Sequence, residues 1–495
     1  MADNSQNFED FLTNAKAANI VPVVETLTAD LLTPLAVYLK LAANAVDSFL
    51  LESVEGGENL GRYSFIGANP EMIVSGNDRQ TIVQKTNKTE TYETSLFSFL
   101  RDYFAGKKLC DVSDLPAFAG GAIGFFGFSC AGWFEKSLKS NQPKNEDAKL
   151  MFFRHIVAFD HAKQVIKIIS LVFTDEAETS AEMKNLYDDA VSENQRIKKV
   201  LENDPIVLPK TGSQRSTTNE VQSNWKREDF ENAVRKIKEL ISAGECYQVV
   251  LSQCFTRQTE SDAVSIYRAL RSLNPSPYMF LLKIGEQSIV GASPEMLVKC
   301  INRKLEYRPI AGTRKRGATI EEDVFLAEEM RGDEKEVAEH LMLVDLGRND
   351  LGRVATFGSV TVGNLMSVEK YSHVQHLVSY LKADLRDEFD CFDALAACFP
   401  AGTVSGAPKV RAIEIIQDLE PTSRGIYSGA VGYIDYSGNL DVCIAIRTLV
   451  LENGAAKIQA GAGIVADSVP ESEYLETVNK ARALLKTIEI AESEK

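Results

Sequence analysis

Basic residues are in short supply: 54 Lys and Arg stand against 70 Asp and Glu, a formal net charge of −16. A surface of that sign repels phosphate backbones and anionic membranes, which sets nucleic acid and lipid aside as partners. Histidine is scarce at five, and the eight cysteines are scattered, with no CxxC pair and no zinc-like spacing. They read as reduced thiols of a cytosolic protein rather than as a disulfide or zinc framework. No apolar run approaches the roughly eighteen residues that a membrane span needs. The start, Met1 to Asp10, is polar and acidic and lacks the basic and apolar regions of a signal peptide, so a cytoplasmic location is the expectation. The GKS or GKT ending of a P-loop, an HExxH zinc helix and any repeat of fixed period are also missing.

What is present is an ordinary globular composition, 44% hydrophobic and 25% charged over 495 residues, with length for about two to four domains at roughly 150 residues each. Residues 1–202 combine short β-rich runs with glycine turns at Gly120, Gly121, Gly124 and Gly127, and end in a charged helical stretch. Residues 203–224 carry Pro205, Pro209, Gly212 and a Ser/Thr cluster without hydrophobic period, and are read as a linker. In 225–495 the pattern predicts helices over Lys226–Ala243, Glu334–Leu346 and Pro470–Ile488. It predicts strands at Tyr247–Phe255, Tyr278–Lys283, Ile289–Gly291 and, as one run, Leu440–Leu451. The elements do not alternate as βαβ units, so the class is α+β.

Glu336 and Glu339 are three apart on one of these helices, and Glu473 and Glu476 repeat the spacing on another, so each pair projects from one face. Such pairs are ordinarily solvated. These lie among apolar neighbours, and four hard oxygen ligands with water between them would suit Mg²⁺. His373 and His376 form an HxxH that, with His340, brings zinc to mind, but the softer ligand spacing of a zinc site is missing. The run Pro400–Pro408, PAGTVSGAP, precedes a helical pattern, where the N–H groups of Gly402, Thr403 and Gly406 would hold a carboxylate or phosphate. Gly461, Gly463 and Ala466 spell GxGxxA, but Asp467 and Pro470 arrive where a Rossmann helix should run, which points instead to close backbone approach to a smaller ligand. Arg447, flanked by Ile446 and Leu449, needs a partner, either an internal acid or an anionic ligand.

Taken together the strings resemble the chorismate-utilising enzymes, and among them the large synthase subunits of anthranilate synthase. They include LLES at Leu50–Ser53, GRYSFIG at Gly61–Gly67, GGAIG at Gly120–Gly124, NPSPYM at Asn274–Met279 and AEHLMLVDLGRNDLGRV at Ala338–Val354. SPEM, PIAGTR, HVQH, AGTVSGAPK, GAVGY, IRT, GAGIVADS and ESEYLETVNKA carry the likeness over nearly the whole chain. The resemblance implies the anthranilate synthase component I fold, two orthogonal antiparallel β-sheets flanked by helices. The division would be a regulatory domain over 1–202, a linker over 203–224 and a chorismate-binding catalytic domain over 225–495. It implies Mg²⁺-dependent amination of chorismate by ammonia and loss of pyruvate to give anthranilate, the first step of tryptophan biosynthesis.

Residue by residue, Glu339 and Glu476 look like direct Mg²⁺ ligands, with Glu336 and Glu473 acting through water. Glu295 is similar to the family's general acid toward the departing C4 hydroxyl, and His376 to the histidine that assists the later elimination. Gly312, Thr313, Thr403, Tyr427, Arg447, Gly461, Ala462 and Gly463 align with substrate contacts. Isochorismate synthases place a lysine base where this chain has Gln248, and aminodeoxychorismate synthases commonly place a nucleophilic lysine where it has Ala311; neither side chain can do that chemistry. Aminodeoxychorismate synthase remains the alternative within enzymes, and a catalytically inactive tryptophan-binding regulator the alternative outside them. Leu51, Glu52, Ser53, Pro277, Tyr278, Met279 and Cys443, with Leu50, resemble a feedback pocket for L-tryptophan. No glutaminase nucleophile turn is visible, so a separate glutamine amidotransferase subunit is expected to supply ammonia. Where the family shows Tyr-Asp followed by Arg after GGAIG, this chain has Phe128, Ser129 and Gly132.

Overall fold

The computed structural model describes residues 7–53, 61–138, 147–208, 220–371 and 374–493. The chain is α+β: two twelve-stranded sheets, built from antiparallel ladders and flanked by helices. In the first sheet the order runs Ile20–Thr28, Val165–Phe173, His155–Asp160, Tyr63–Ala68 and Ser48–Glu52, then Tyr278–Ile284, Gln287–Ser293, Thr448–Glu452, Ala455–Ile464 and Gln248–Gln258. Residues before 203 and after 220 thus each supply one contiguous half, meeting at a seam where Met279 pairs with Glu52 and Leu281 with Leu50. The second sheet has a matching seam, where Ala430–Asp435 pairs with Gly121–Phe126. Glycine makes that seam possible: a Cβ on Gly121 would come within 2.3 Å of the Ile434 carbonyl on the facing strand.

Between the sheets lies an aromatic and aliphatic core that includes Phe49, Phe65, Phe118, Phe153 and Tyr433. These rings meet edge to face or tilted, as at 4.8 Å between Phe49 and Phe153. A second core joins the helix Ala263–Leu273 and the C-terminal helix Pro470–Ser493 to the first sheet. Residues 209–219 of the linker reading lie outside the described ones, while Val221–Ser223 forms a short strand against Gln248–Gln258.

The one long strand expected over Leu440–Leu451 is two. Leu440–Ile444 belongs to the second sheet, Thr448–Glu452 to the first, and Ala445–Arg447 carries the chain across. Its neighbour does the same in the opposite sense: Gln287–Ser293 is in the first sheet, Met296–Ile301 in the second, and Pro294 and Glu295 join them. The two crossings hold each other. The Ser293 hydroxyl donates to the Ile444 carbonyl at 2.7 Å, the Ile444 N–H to the Glu295 carbonyl at 3.0 Å, and the Ala292 N–H to the Arg447 carbonyl at 3.1 Å. CIAIRTLV is apolar at six of its eight positions and carries no Gly or Pro, so the pattern hides the break. Its backbone mark is Arg447, at φ +49°, a conformation that costs a branched-free L-residue about 1 kcal/mol or more.

Candidate active site

A cavity of ≈ 740 Å³ opens where the two strands cross between sheets. Glu295 and Arg447 reach it from the two crossings. Ala311, Gly312 and Thr313 come from the strand Ile310–Lys315, His376 from Val374–Asp384, and Thr403 from the PAGTVSGAP turn. Gly461 and Gly463 belong to the strand Ala455–Ile464, where they meet the walls directly: a Cβ at Gly463 would lie 2.5 Å from the Gln248 amide, and one at Gly461 2.8 Å from the Tyr427 hydroxyl. The expected tight backbone approach is therefore present. Ala462, between them, points the other way into the core and does not line the cavity.

Glu295 is only 7% exposed, and burial pushes its carboxyl up to about 8, with the neighbouring Thr403 hydroxyl pulling the other way. Its Oε1 and the Thr403 hydroxyl have no hydrogen-bond partner. The acid is therefore protonated at neutral pH and free to donate, the state a general acid requires. Burial also draws the Arg447 guanidinium down from its ordinary value, and no acid among the described residues faces it; its titratable neighbours are Tyr427 and His376. An internal ion pair, the structural alternative for Arg447, is thus excluded among the described residues. An unpaired, half-buried guanidinium at the wall of a cavity is a built receptor for a planar carboxylate.

His376 lies with Nδ1 at 2.8 Å from the Gly312 carbonyl and 3.2 Å from the Thr313 hydroxyl. The carbonyl can only accept, so the proton is assigned to Nδ1 and Nε2 keeps its lone pair. Burial lowers this imidazole's pKa, which keeps the ring neutral and basic at Nε2. His340 has a different role: it is fully buried, with Nε2 at 2.6 Å from the Ser379 hydroxyl. His373 lies outside the described residues. No cluster suited to zinc exists among the described residues.

All four carboxylates, Glu336 and Glu339 from helix Glu334–Gly352 and Glu473 and Glu476 from helix Pro470–Ser493, line the same cavity. Burial raises the carboxyl pKa of Glu339, and repulsion from Glu336 and Glu476 adds to it, so the two helices sense each other's charge. Burial likewise raises Glu473. Glu336 leans on Arg314 at 3.0 Å and Glu476 on Lys480 at 2.6 Å, so no three acids are already gathered as ligands of one ion. The donor set is nevertheless all hard oxygen, mutually repelling and open to water. It fits Mg²⁺, which takes one or two carboxylates and keeps several waters.

The sequence pattern of the chorismate binding enzyme family matches residues 46–486. The chain belongs to the chorismate-binding enzymes. Anthranilate synthase component 1 of Acetivibrio thermocellus is 45% identical over 490 residues, covering 96% of this chain and 97% of that one. The protein of the same name from Pseudomonas aeruginosa is 42% identical, covering 98% and 99%. Among solved structures, anthranilate synthase component I of Streptococcus pneumoniae aligns with a TM-score of 0.73 at 35% identity, over 93% of this chain and 99% of that one. The menaquinone-specific isochorismate synthase of Escherichia coli, at 21% identity and a TM-score of 0.69, over 98% and 100%, shares the fold.

In this chorismate-binding enzyme Gln248 and Ala311, the two positions that separate relatives by chemistry, both line the cavity. Two cations there escaped the sequence reading. Lys480 lies four residues after Glu476 and donates to the Gly461 carbonyl at 3.0 Å; Lys335 borders Glu336. The i, i+4 step from Glu476 to Lys480 was the available signal.

A much smaller hollow of ≈ 120 Å³ lies between the sheets at the first seam. Leu51, Glu52, Ser53, Pro277, Tyr278, Met279 and Cys443 all line it, whereas Leu50 faces the opposite core. Tyr278 donates its hydroxyl to Asp441 at 3.0 Å, and Lys299 stands 3.4 Å from the same carboxylate. The Glu52 carboxylate, 4% exposed, is gripped by the Tyr267 hydroxyl and by Arg271 at 3.2 Å.

No helix among the described residues is long and apolar enough to cross a membrane.

Proposed function

We propose that this chain is the synthase component of anthranilate synthase, adding ammonia to chorismate and releasing water, pyruvate and anthranilate. The observation that carries this reading is the pairing, in one cavity, of a protonated Glu295 with no partner on Oε1 and an Arg447 with no acid opposite it. Chorismate is a dianion with a hydroxyl to be expelled, so it needs a carboxylate receptor, a proton donor and a second positive centre. Arg447 holds one carboxylate, assisted by backbone N–H groups at Gly461 and Gly463. Glu295 gives its proton to the C4 oxygen, which leaves as water while ammonia bonds to C2. In the second half His376 Nε2 takes the C2 proton, the C3–O bond to the enolpyruvyl group breaks, and the ring becomes aromatic. Gln248 offers no base to activate a water, and the Ala311 methyl offers no nucleophile, so direct attack by ammonia is the remaining route.

Glu339 and Glu476 would hold Mg²⁺, with Glu336 and Glu473 reaching it through water. When bound, the ion supplies positive charge for the second carboxylate of the substrate. Ammonia comes from a separate glutamine amidotransferase subunit, and L-tryptophan occupies the small hollow as inhibitor.

The test is fluorescence of anthranilate from purified chain, chorismate, ammonium and Mg²⁺. Absence of product in alkaline, ammonium-rich buffer would refute the assignment, and 4-amino-4-deoxychorismate as product would reassign it. Glu339→Gln is expected to abolish the signal and to weaken Mg²⁺ binding, read by calorimetry without substrate, at least about 100-fold.

A further inference from the structure

A residue outside the expected set fastens three walls of the cavity at once. Arg424 is 5% exposed and follows the helix Lys409–Leu419 by five positions. A guanidinium carries five N–H donors in a fixed fork, and here each has an acceptor. Nη1 donates to the Val404 carbonyl at 2.7 Å and to the Ser428 hydroxyl at 3.1 Å. Nη2 donates to the Val250 carbonyl at 2.6 Å and to Glu420 Oε1 at 2.7 Å, and Nε to Glu420 Oε2 at 3.0 Å. The plane of the group lies against two rings, 4.5 Å from the centre of Phe128 and 5.5 Å from that of Tyr427.

Its acceptors lie on, or bonded to, separate pieces of the cavity wall. Val404 follows Thr403, the hydroxyl beside Glu295. Val250 is two residues along the strand from Gln248, and both line the cavity. Ser428 follows Tyr427, and its N–H donates to the Ala445 carbonyl at 3.0 Å, on the crossing that presents Arg447. The counter-ion extends the frame: Glu420 Oε1 accepts from the Ser252 hydroxyl at 2.8 Å, and that hydroxyl accepts from Gln459, itself a cavity residue, at 2.9 Å. Phe128, where the family shows tyrosine, closes this frame from the side of the N-terminal half. Ser129, where it shows aspartate, donates instead to Asp147 at 2.7 Å.

We propose that Arg424 is a positioning residue for the chorismate reaction: without touching substrate, its five bonds hold Thr403, Tyr427 and the Gln248 wall in the register that Glu295 and Arg447 need. This rests on the proposed synthase activity, and wild-type turnover in the same assay separates the two. No anthranilate from the wild type overturns the activity itself, whereas only the variants bear on Arg424.

Arg424→Lys keeps a cation beside Glu420, but an ammonium with three donors cannot reach all the acceptors. Purified variant with a wild-type circular dichroism spectrum is expected to show a chorismate KM raised about tenfold or more, the worth of one or two charge-assisted bonds. The alkaline limb of kcat/KM is expected to move, because the Thr403 side chain that lines the cavity beside Glu295 is displaced. Ser252→Ala, which cuts only the link between Gln459 and Glu420, is expected to raise KM about threefold with kcat unchanged; it decides the matter if Arg424→Lys does not fold. Unchanged KM and an unmoved limb in folded variants would overturn the proposal. So would a loss of activity that merely follows the folded fraction.

Discussion

Two hollows adjoin the same pair of strand crossings, and they treat their polar groups in opposite ways. In the large cavity Glu295 Oε1, the Thr403 hydroxyl and Arg447 are left without partners. In the small one Asp441 is held by Tyr278 and Lys299, and Glu52 by Tyr267 and Arg271, so that among the described lining residues Ser53 Oγ is the one buried side-chain polar atom left unsatisfied. An unsatisfied buried polar group costs about 1–3 kcal/mol, more when charged. The large cavity therefore bears a stability cost at the positions where a dianion and a leaving hydroxyl would relieve it. The small hollow bears almost none, as the proposed inhibitor site, empty whenever inhibitor is scarce, would require.

The largest effect that would break this contrast is at Arg447. Arg447→Met removes the carboxylate receptor and is expected to lower kcat/KM by about 10³-fold or more, the order of roughly 4 kcal/mol for a buried charge-assisted bidentate contact. Because the arginine has no acid partner, thermal unfolding of the variant is expected at or above the wild-type midpoint. A clear fall in midpoint would show that the guanidinium has a structural partner after all.

Glu295→Gln comes next, with kcat lowered about 10²- to 10⁴-fold, the span of general acid catalysis. Its pH dependence carries a definite sign. The wild-type carboxyl is pushed from 4.5 up to about 8, so at fixed free ammonia kcat/KM falls as pH rises through about 8 and the acid loses its proton. The folded state also holds this proton more tightly than the unfolded chain does. The stability it contributes is complete below about 4.5 and is lost as pH climbs to about 8. In the glutamine variant both dependences should flatten, measured by rate profiles and by denaturant unfolding between those pH values.

The sequence revealed the two halves of this comparison unequally. The carboxylate pairs were legible because i, i+3 spacing on a helix fixes a shared face, and the glycines at 461 and 463 because close approach needs them. The strand crossings were not legible: CIAIRTLV runs on as a mostly apolar stretch without Gly or Pro, and only the left-handed Arg447 betrays the change of sheet. Without the crossings, nothing in the pattern places Glu295 and Arg447 in one cavity. Arg424 was hidden for another reason. Its value lies in five acceptors spread over positions 250 to 428, a long-range arrangement that no local period records.

The smallest effect on catalysis, and the sharpest on regulation, is expected at Ser53. It lines the small hollow at the end of the strand Ser48–Glu52, beside Met279 and Tyr278 of the facing strand. In Ser53→Phe the ring fills space that an indole amino acid would need, while leaving every cavity residue in place, so the basal rate should stay within about twofold. Inhibition by L-tryptophan should disappear. The two hollows are nonetheless mechanically close: Tyr278 pairs with Ser293, and Cys443 precedes Ile444, whose N–H binds the Glu295 carbonyl. A ligand that shifts Tyr278 or Cys443 therefore pulls on the crossing that carries the acid. Titrating tryptophan against both proteins at fixed chorismate separates the outcomes, and unchanged sensitivity in the variant would place the inhibitor elsewhere.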